Sequence, residues 1–304
     1  MQIINELLRQ IISYTTIYSL ITLGIIIQGR VGIFNIAGDG IMLASASISF
    51  AIAYFTNNWL LGFIIGFLMG GVFGLLFSFI HEKFKVNQFV LGLCFIILGT
   101  GLSDFLYEIL IGIRLTTPIA PNVPIIKLPI INKIPILSAF LNQNPIVYFM
   151  YFIVILSWWF FYKTKIGLET RGIGENPKAI DVLGINVILR RYVAIIIGSS
   201  LIGLAGAYLP LIITGTYSAG IDGGRGTMAI GIAIFSSWKP QRVIISSFLF
   251  ATIEVMVFQL QLISKNIPSQ FVLMLPFISV LLIMMFLRGR LEYPASIGQP
   301  YSRE

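Results

Sequence analysis

Five carboxylates, those of Asp39, Asp104, Glu108, Asp222 and Glu254, fall inside or at the ends of long apolar runs. Ionisable groups at membrane depth are costly, and where they persist they mark ion coupling, a proton relay or a substrate path. Only Glu254 is plainly mid-run, and no second carboxylate accompanies it at helical spacing. A hydrogen bond to a neighbouring helix or subunit therefore suits Glu254 better than proton carriage. The one histidine, His81, sits in the short run HEKFK without a partner for a metal site or catalytic triad, and reads as a solvated interface residue. Residues 223–227, GGRGT, lack the lysine and the preceding strand of a phosphate-binding loop, so ATP hydrolysis is not expected on this chain. Neither a metal nor a cofactor is expected.

The elements that position these groups follow from composition. Of 304 residues, 57% are hydrophobic and 11% charged, against roughly a quarter charged in soluble domains. The apolar residues come in blocks long enough for the roughly 20 residues of helix that cross a hydrocarbon core. Spans are predicted near 7–28, 31–55, 59–80, 89–111, 146–162, 191–214, 241–262 and 271–287, with a short, glycine-rich ninth at 226–238. The expected fold is an all-α polytopic membrane protein of about 8–10 transmembrane helices, a single domain over 1–304. The first block lacks the basic start and small-residue cleavage site of a signal peptide and is expected to be retained. Cys94 stands alone in an apolar run, which leaves no intrachain disulfide framework or thiol cluster.

The net charge of +8 is not gathered into the basic tract of a nucleic-acid surface, so no nucleic-acid partner is expected, only membrane lipid around the spans. With each block crossing once from an external N-terminus, fourteen of the twenty bases fall on the cytoplasmic side: Arg30, Lys83, Lys85, Lys163, Lys165, Arg171, Lys178, Arg190, Arg191, Lys239, Arg242, Arg288, Arg290 and Arg303. Arg9, Arg114, Lys127, Lys133, Arg225 and Lys265 fall outside. This is the bias of the positive-inside rule. A re-entrant 226–238 would erase it, which favours a crossing.

Two segments are too rich in glycine for plain lipid-facing helices: residues 29–40, GRVGIFNIAGDG, and residues 215–231, GTYSAGIDGGRGTMAIG. Broken helices in corresponding places of two halves expose backbone polar groups along a transport path. Close packing through small residues is the alternative at any single glycine. Asn35, Asp39, Asp222, Arg225 and Thr227 are the polar groups expected on the path. The extracellular loop 112–145 carries Pro118, Pro121, Pro124, Pro129 and Pro135, which rule out one continuous helix, and is expected to pack on the outer mouth.

The largest cytoplasmic loop, 163–191, holds six bases and three acids. Within it Asn176 suits an N-cap, Pro177 the first helical position and Gly184 the C-terminal cap, with Ile180 and Leu183 forming one apolar edge. A helix of about two turns is not stable alone. A partner protein in the cytoplasm is expected to hold it.

Four motifs in order resemble one family, the permease subunits of ABC importers for nucleosides and simple sugars that work with basic-membrane-protein-type lipoproteins, related to the branched-chain amino acid and ribose permeases. FNIAGDGIML at 34–43 resembles F-N-I-G-x-E-G-x-M-L, and RGIGENPKAIDVLGIN at 171–186 resembles R-A-x-G-x-N-P-x-A-A-x-x-x-G-I-N. GRGTMAIGIAIFSSWKP at 224–240 resembles G-x-G-F-x-x-I-A-x-A-x-x-G-x-W-x-P, and PASIGQPYSRE at 294–304 resembles P-x-x-L-G-x-P-Y-x-R-E. The resemblance implies that the capped loop helix is a coupling helix docking on a cytoplasmic ABC ATPase, with Glu175, Asn176, Pro177, Ala179, Gly184 and Ile185 at the matching positions. It also implies a second, different permease subunit, an extracellular substrate-binding lipoprotein and a place in the cell membrane. Ala37, Asp39, Thr227 and Ser236 depart from the family pattern and leave the substrate open. An ion-coupled secondary transporter of a small polar solute is the alternative, against which the sparse mid-membrane carboxylates argue. A membrane-embedded enzyme lacks a clustered acid or nucleophile set.

Overall fold

The computed structural model describes residues 2–112, 117–127, 135–263, 269–286, 292–299 and 301, and among these there are helices and connecting segments but no strand. Seven helices are long and apolar enough to cross a membrane. They are α1 (Gln2–Gly29), α2 (Gly38–Thr56), α3 (Trp59–Phe84), α4 (Gln88–Leu110), α6 (Pro145–Lys163), α9 (Val187–Tyr208, prolonged by a π-helical turn Leu209–Ile213) and α11 (Val243–Ile263). An eighth apolar helix, α12 (Ser269–Phe286), carries Pro276 in its interior. Shorter pieces complete the order: α5 (Pro135–Leu141), α7 (Lys165–Glu175), α8 (Pro177–Val182) and α10 (Arg225–Phe235).

The predicted spans recur with two differences. The second was expected from residue 31, but α2 starts at Gly38. Gly32 holds a left-handed φ of 82° and the Asn35 side chain accepts the Ala37 N–H at 2.9 Å, so residues 30–37 are kept out of the helix. The ninth, α10, is 11 residues long, or about 16 Å at 1.5 Å per residue, half a hydrocarbon core. Residues 214–224 supply the other half of that passage, since α9 ends at one face while Trp238 lies at the opposite face, against Gly29 and the Arg30 side chain.

The helices divide into a centre and a shell. In α1 and α9, 83% of the apolar window is buried, but in α4 only 28% is. The residues α3, α4 and α6 leave bare are mainly Leu, Ile, Phe and Trp, as hydrocarbon solvent requires. Gly62, Gly66, Gly70 and Gly74 recur every fourth residue along α3 and lie on the side that meets α9. A methyl group on Gly70 would stand 2.9 Å from the Gly203 Cα, and one on Gly74 would stand 2.8 Å from the Ser199 Cβ, so only glycine admits this approach. Without a hydrophobic drive between helices in lipid, such contact holds them together.

One end of the bundle collects the bases. Arg30 Nε donates to the Trp238 carbonyl at 2.8 Å, Lys85 Nζ to the Tyr301 carbonyl at 2.9 Å, and Arg191 Nε to the Val31 carbonyl at 3.1 Å. Lys239 pairs with Glu292 at 2.6 Å and holds that exposed carboxyl below the usual range. Of the bases assigned from sequence, Arg288, Arg290, Arg303, Arg114, Lys133 and Lys265 lie outside the described residues, as does Pro129. The solvated reading of His81 is corrected. Helix α3 continues to Phe84, so His81 is 2% exposed, donating from Nδ1 to the Val86 carbonyl at 2.9 Å beside buried Glu82.

Gly70→Val is expected to cost about 1–3 kcal/mol through overpacking and to lower the unfolding temperature of the detergent-solubilised chain. Gly101→Ala, where an added methyl meets nothing within 4 Å, is expected to leave it unchanged. Scanning fluorimetry of both variants checks the contrast.

Candidate functional site

The two glycine-rich segments meet. The first residues of α2 and of α10 pack together inside the apolar body, so that two helix N-termini face one another. Gly38 and Gly226 make the contact, and a methyl on Gly38 would lie 3.2 Å from the Gly226 Cα. Asp39, in the first turn of α2, accepts the Thr227 N–H at 3.1 Å and also the Thr227 hydroxyl. The N-cap of α10 is Gly224, which has no side chain to give. Asp39 caps α10 from another helix and places its negative charge where both helix dipoles favour it.

Asp222 accepts the Gly224 N–H at 3.1 Å, and its carboxyl lies near that of Asp39. Arg225 turns the other way. Its Nε and Nη2 donate to Glu254 Oε1 at 3.0 and 2.7 Å, and its Nη1 to the carbonyls of Ile221 and Asp222 at 3.1 and 2.9 Å. Tyr18 of α1 donates to the other Glu254 oxygen at 2.6 Å, and the guanidinium lies over the Tyr14 ring at 5.3 Å. Glu254 thus hydrogen-bonds to neighbouring helices, as its isolation in the sequence suggested. Asn35 is buried, and its Nδ2 has no hydrogen-bond partner. Of the five residues expected on a path, the structure joins Asp39, Asp222, Arg225 and Thr227, leaves Thr227 exposed, and sets Asn35 in the turn leading into α2.

The cytoplasmic loop folds as a helical pair. Thr164 caps α7, accepting the Gly167 N–H at 3.0 Å. Asn176 ends α7 by donating its N–H to the Gly172 carbonyl at 2.8 Å and opens α8 by accepting the Ala179 N–H at 3.1 Å. Pro177 is first in α8 and Gly184 leaves it with φ 81°. No residue of α8 is buried. Ile180 turns inward onto Gly172, while Val182 and Leu183 stand 88% and 72% exposed, so the bare apolar edge is displaced from the expected Ile180–Leu183 pair. A cavity of about 630 Å³ opens between α7 and α8, lined by Arg30, Leu168, Arg171, Ile180, Leu183 and Ile185.

The sequence reading did not anticipate the C-terminal segment as a strap. The Ser296 N–H and hydroxyl donate to the Gly174 carbonyl at 2.9 and 2.7 Å, and the Gly298 N–H to the Gly32 carbonyl at 3.1 Å. The Ala295 N–H reaches Glu175 at 3.4 Å. Tyr301 lies under Arg191, which is fully buried with Glu82 3.6 Å away. Tyr18 was also missed, although Tyr14 and Tyr18 share one face of an otherwise apolar stretch, which is a legible signal.

Residues 7–286 match the model of a family described as branched-chain amino acid transport system / permease component. The chain belongs to this family. It is 30% identical over 264 residues to a putative glucose ABC transporter permease protein of Haloferax volcanii, covering 85% of this chain and 78% of that one. It is 30% identical to a nucleoside ABC transporter permease protein of Lactococcus lactis across 99% of both chains. A guanosine ABC transporter permease protein of Bacillus subtilis is 27% identical across 98% of both. No solved structure matches. This permease is therefore a multi-pass transport subunit of an ABC importer in the cell membrane and not an enzyme; an ABC ATPase and a binding protein are its partners.

Breaking the buried clamp of the permease by Arg225→Ala or Glu254→Ala leaves one charge unpaired, and each is expected to cost about 3–5 kcal/mol. The pair Arg225→Met with Glu254→Leu is expected to recover most of that. Unfolding temperatures of the three variants in detergent test the cycle.

Proposed function

We propose that this permease forms half of a pathway for a nucleoside or a simple sugar, delivered by an extracellular binding lipoprotein, with a second, different permease subunit as the other half. ATP binding and hydrolysis on the cytoplasmic ATPase bias a pathway that opens alternately to the two sides. The names of the relatives support this substrate class, and their similarity along nearly the whole chain supports reading 1–304 as one permease domain.

The observation that carries the coupling role is α8. It is a two-turn helix capped at both ends, with no buried residue and with Val182 and Leu183 bare to solvent. Such a helix is held by something outside the chain. Glu175, Asn176, Pro177, Ala179, Gly184 and Ile185 shape it for docking on the ATPase: the asparagine and proline fix its start, the glycine its end, and Ile185 lines the cavity beside it. On the path, Asp39, Asp222 and Thr227 meet the solute's hydroxyl and amine groups, while Asn35 and Arg225 hold the broken segments in place. Loop 112–145 covers the outer mouth, a reading supported by the hydrogen bond of the Ala120 N–H to the Gly215 carbonyl at 2.8 Å.

Val182→Asp with Leu183→Asp alters only exposed side chains. If α8 is the dock, losing its two apolar contacts should weaken ATPase capture about tenfold or more, in the range of interface hot spots, and abolish nucleoside-stimulated ATP hydrolysis. Copurification of the ATPase with wild type and variant checks this; equal capture and equal stimulation would remove α8 from the interface.

A further inference from the structure

Helix α4 buries Leu91, Gly92, Phe95, Gly99 and Ser103, with Gly99 on Gly40 and Ser103 on Leu43 and Ser47 of α2 and Gly92 on Ile36 just before it. On its opposite side Cys94, Ile97, Gly101, Asp104 and Glu108 recur at helical spacing, and all five are exposed. Gly101 has open space beyond it, with nothing within 4 Å of an added methyl. Neither Asp104 nor Glu108 has an ion-pair partner among the described residues. Asp104 lies six residues short of the end of α4, about 9 Å into the span. A carboxylate facing hydrocarbon at mid-span costs about 3 kcal/mol even on the more lenient scales, which disfavours lipid on the side of α4 that carries Asp104. Leu98 and Phe105, 51% and 59% exposed a quarter-turn away, form the part of α4 that meets lipid.

The polar face borders the broken segment 214–224 at Tyr217. The Tyr217 hydroxyl donates to Asp104 Oδ1 at 3.4 Å, and its ring lies 4.7 Å from that of Tyr107. On the opposite, inward side of α4, Gly40, beside Asp39, packs on the backbone of Phe95 and Ile96.

We propose that this face of α4 lines the solute path, that Asp104 contacts the solute, and that the second permease subunit closes the path over it. The inference rests on the importer reading above and adds the face and the contacting group. An ionised carboxylate accepts hydrogen bonds from ribose or sugar hydroxyls and from ring N–H groups. The Tyr217 hydroxyl, hydrogen-bonded to Ser103, lies beside the same carboxylate at 3.4 Å.

The test places single cysteines, by Gly101→Cys, Asp104→Cys and Leu98→Cys, in a Cys94→Ala background, within the assembled complex in membranes. A cationic, membrane-impermeant methanethiosulfonate is the probe. Because the thiolate reacts and forms only where water reaches, positions 101 and 104 should label about tenfold or more faster than 98, and labelling at 101 should block uptake. Asp104→Asn should lower uptake about 10-fold or more, the worth of a charged hydrogen bond, and Asp104→Glu should recover part of it. Unreactive cysteines at 101 and 104 in a complex that still captures the ATPase would overturn the path along α4 while leaving the importer reading intact. Loss of ATPase capture by the wild-type chain would instead overturn the importer reading itself.

Discussion

The carboxylate of Asp39, carried in the first turn of one helix, caps the start of another. It belongs to the first turn of α2 and accepts the Thr227 backbone N–H and hydroxyl at the start of α10. Four N–H groups at each helix start lack an intrahelical partner, and inside an apolar body no water satisfies them for free. Gly38 and Gly226 allow the approach, Gly224 gives up its own cap, and Asp222 turns back on the Gly224 N–H. The sharing makes the two broken segments depend on each other. Remove Asp39 and the Thr227 N–H at the start of α10 loses its acceptor.

Around this junction the molecule is built with two stiffnesses. The contact of α3 with α9 is dry, close and made by glycines whose substitution has no room; it has one arrangement. The junction is polar and assembled from segments without a continuous helical ladder. Its outer neighbour is the clamp of Arg225, Glu254 and Tyr18, which ties α10, α11 and α1 together. Buried charged pairs of this kind are weak as net stabilisers but strongly penalise any geometry in which one partner is left alone. The clamp thus fixes the start of α10 laterally.

Much of this was legible in the sequence because hydrocarbon solvent imposes a simple code. The blocks of apolar residues gave span positions within a few residues, and the punctuation Asn176, Pro177, Gly184 gave the exposed helix, since caps are local chemistry. Glu254 was readable as a hydrogen-bonding group because a lone mid-span acid has few other uses. What escaped was tertiary. His81 looked polar and solvated, yet α3 runs on through it into the contact with Glu82 and Arg191. Ile180 looked outward by spacing, but α7 offers Gly172 as a seat for it. The pairing of Asp39 with Thr227 joins residues 188 apart in sequence, and no periodicity reports such a contact. Nor does the polar composition of 292–301 reveal that it straps the end of α7 to Gly32.

That strap bears on how a force at α8 reaches the junction. Helices α7 and α8 share Asn176 as the end of one and the start of the other, so they move together. The end of α7, at Gly174, backs directly onto the Arg30 carbonyl, where a methyl would stand 2.5 Å away. Ser296 and Gly298 hold Gly174 and Gly32 in one hydrogen-bonded unit. Beyond Gly32 the chain runs unsupported by helix to Asp39. On the proposed coupling role, a displacement of α8 is delivered to the segment whose far end caps α10. A helix cap is worth about 0.5–2 kcal/mol, small against the free energy available from ATPase closure. On that reading the push from the cytoplasm arrives at a polar, cap-held junction and not at the close glycine packing between α3 and α9.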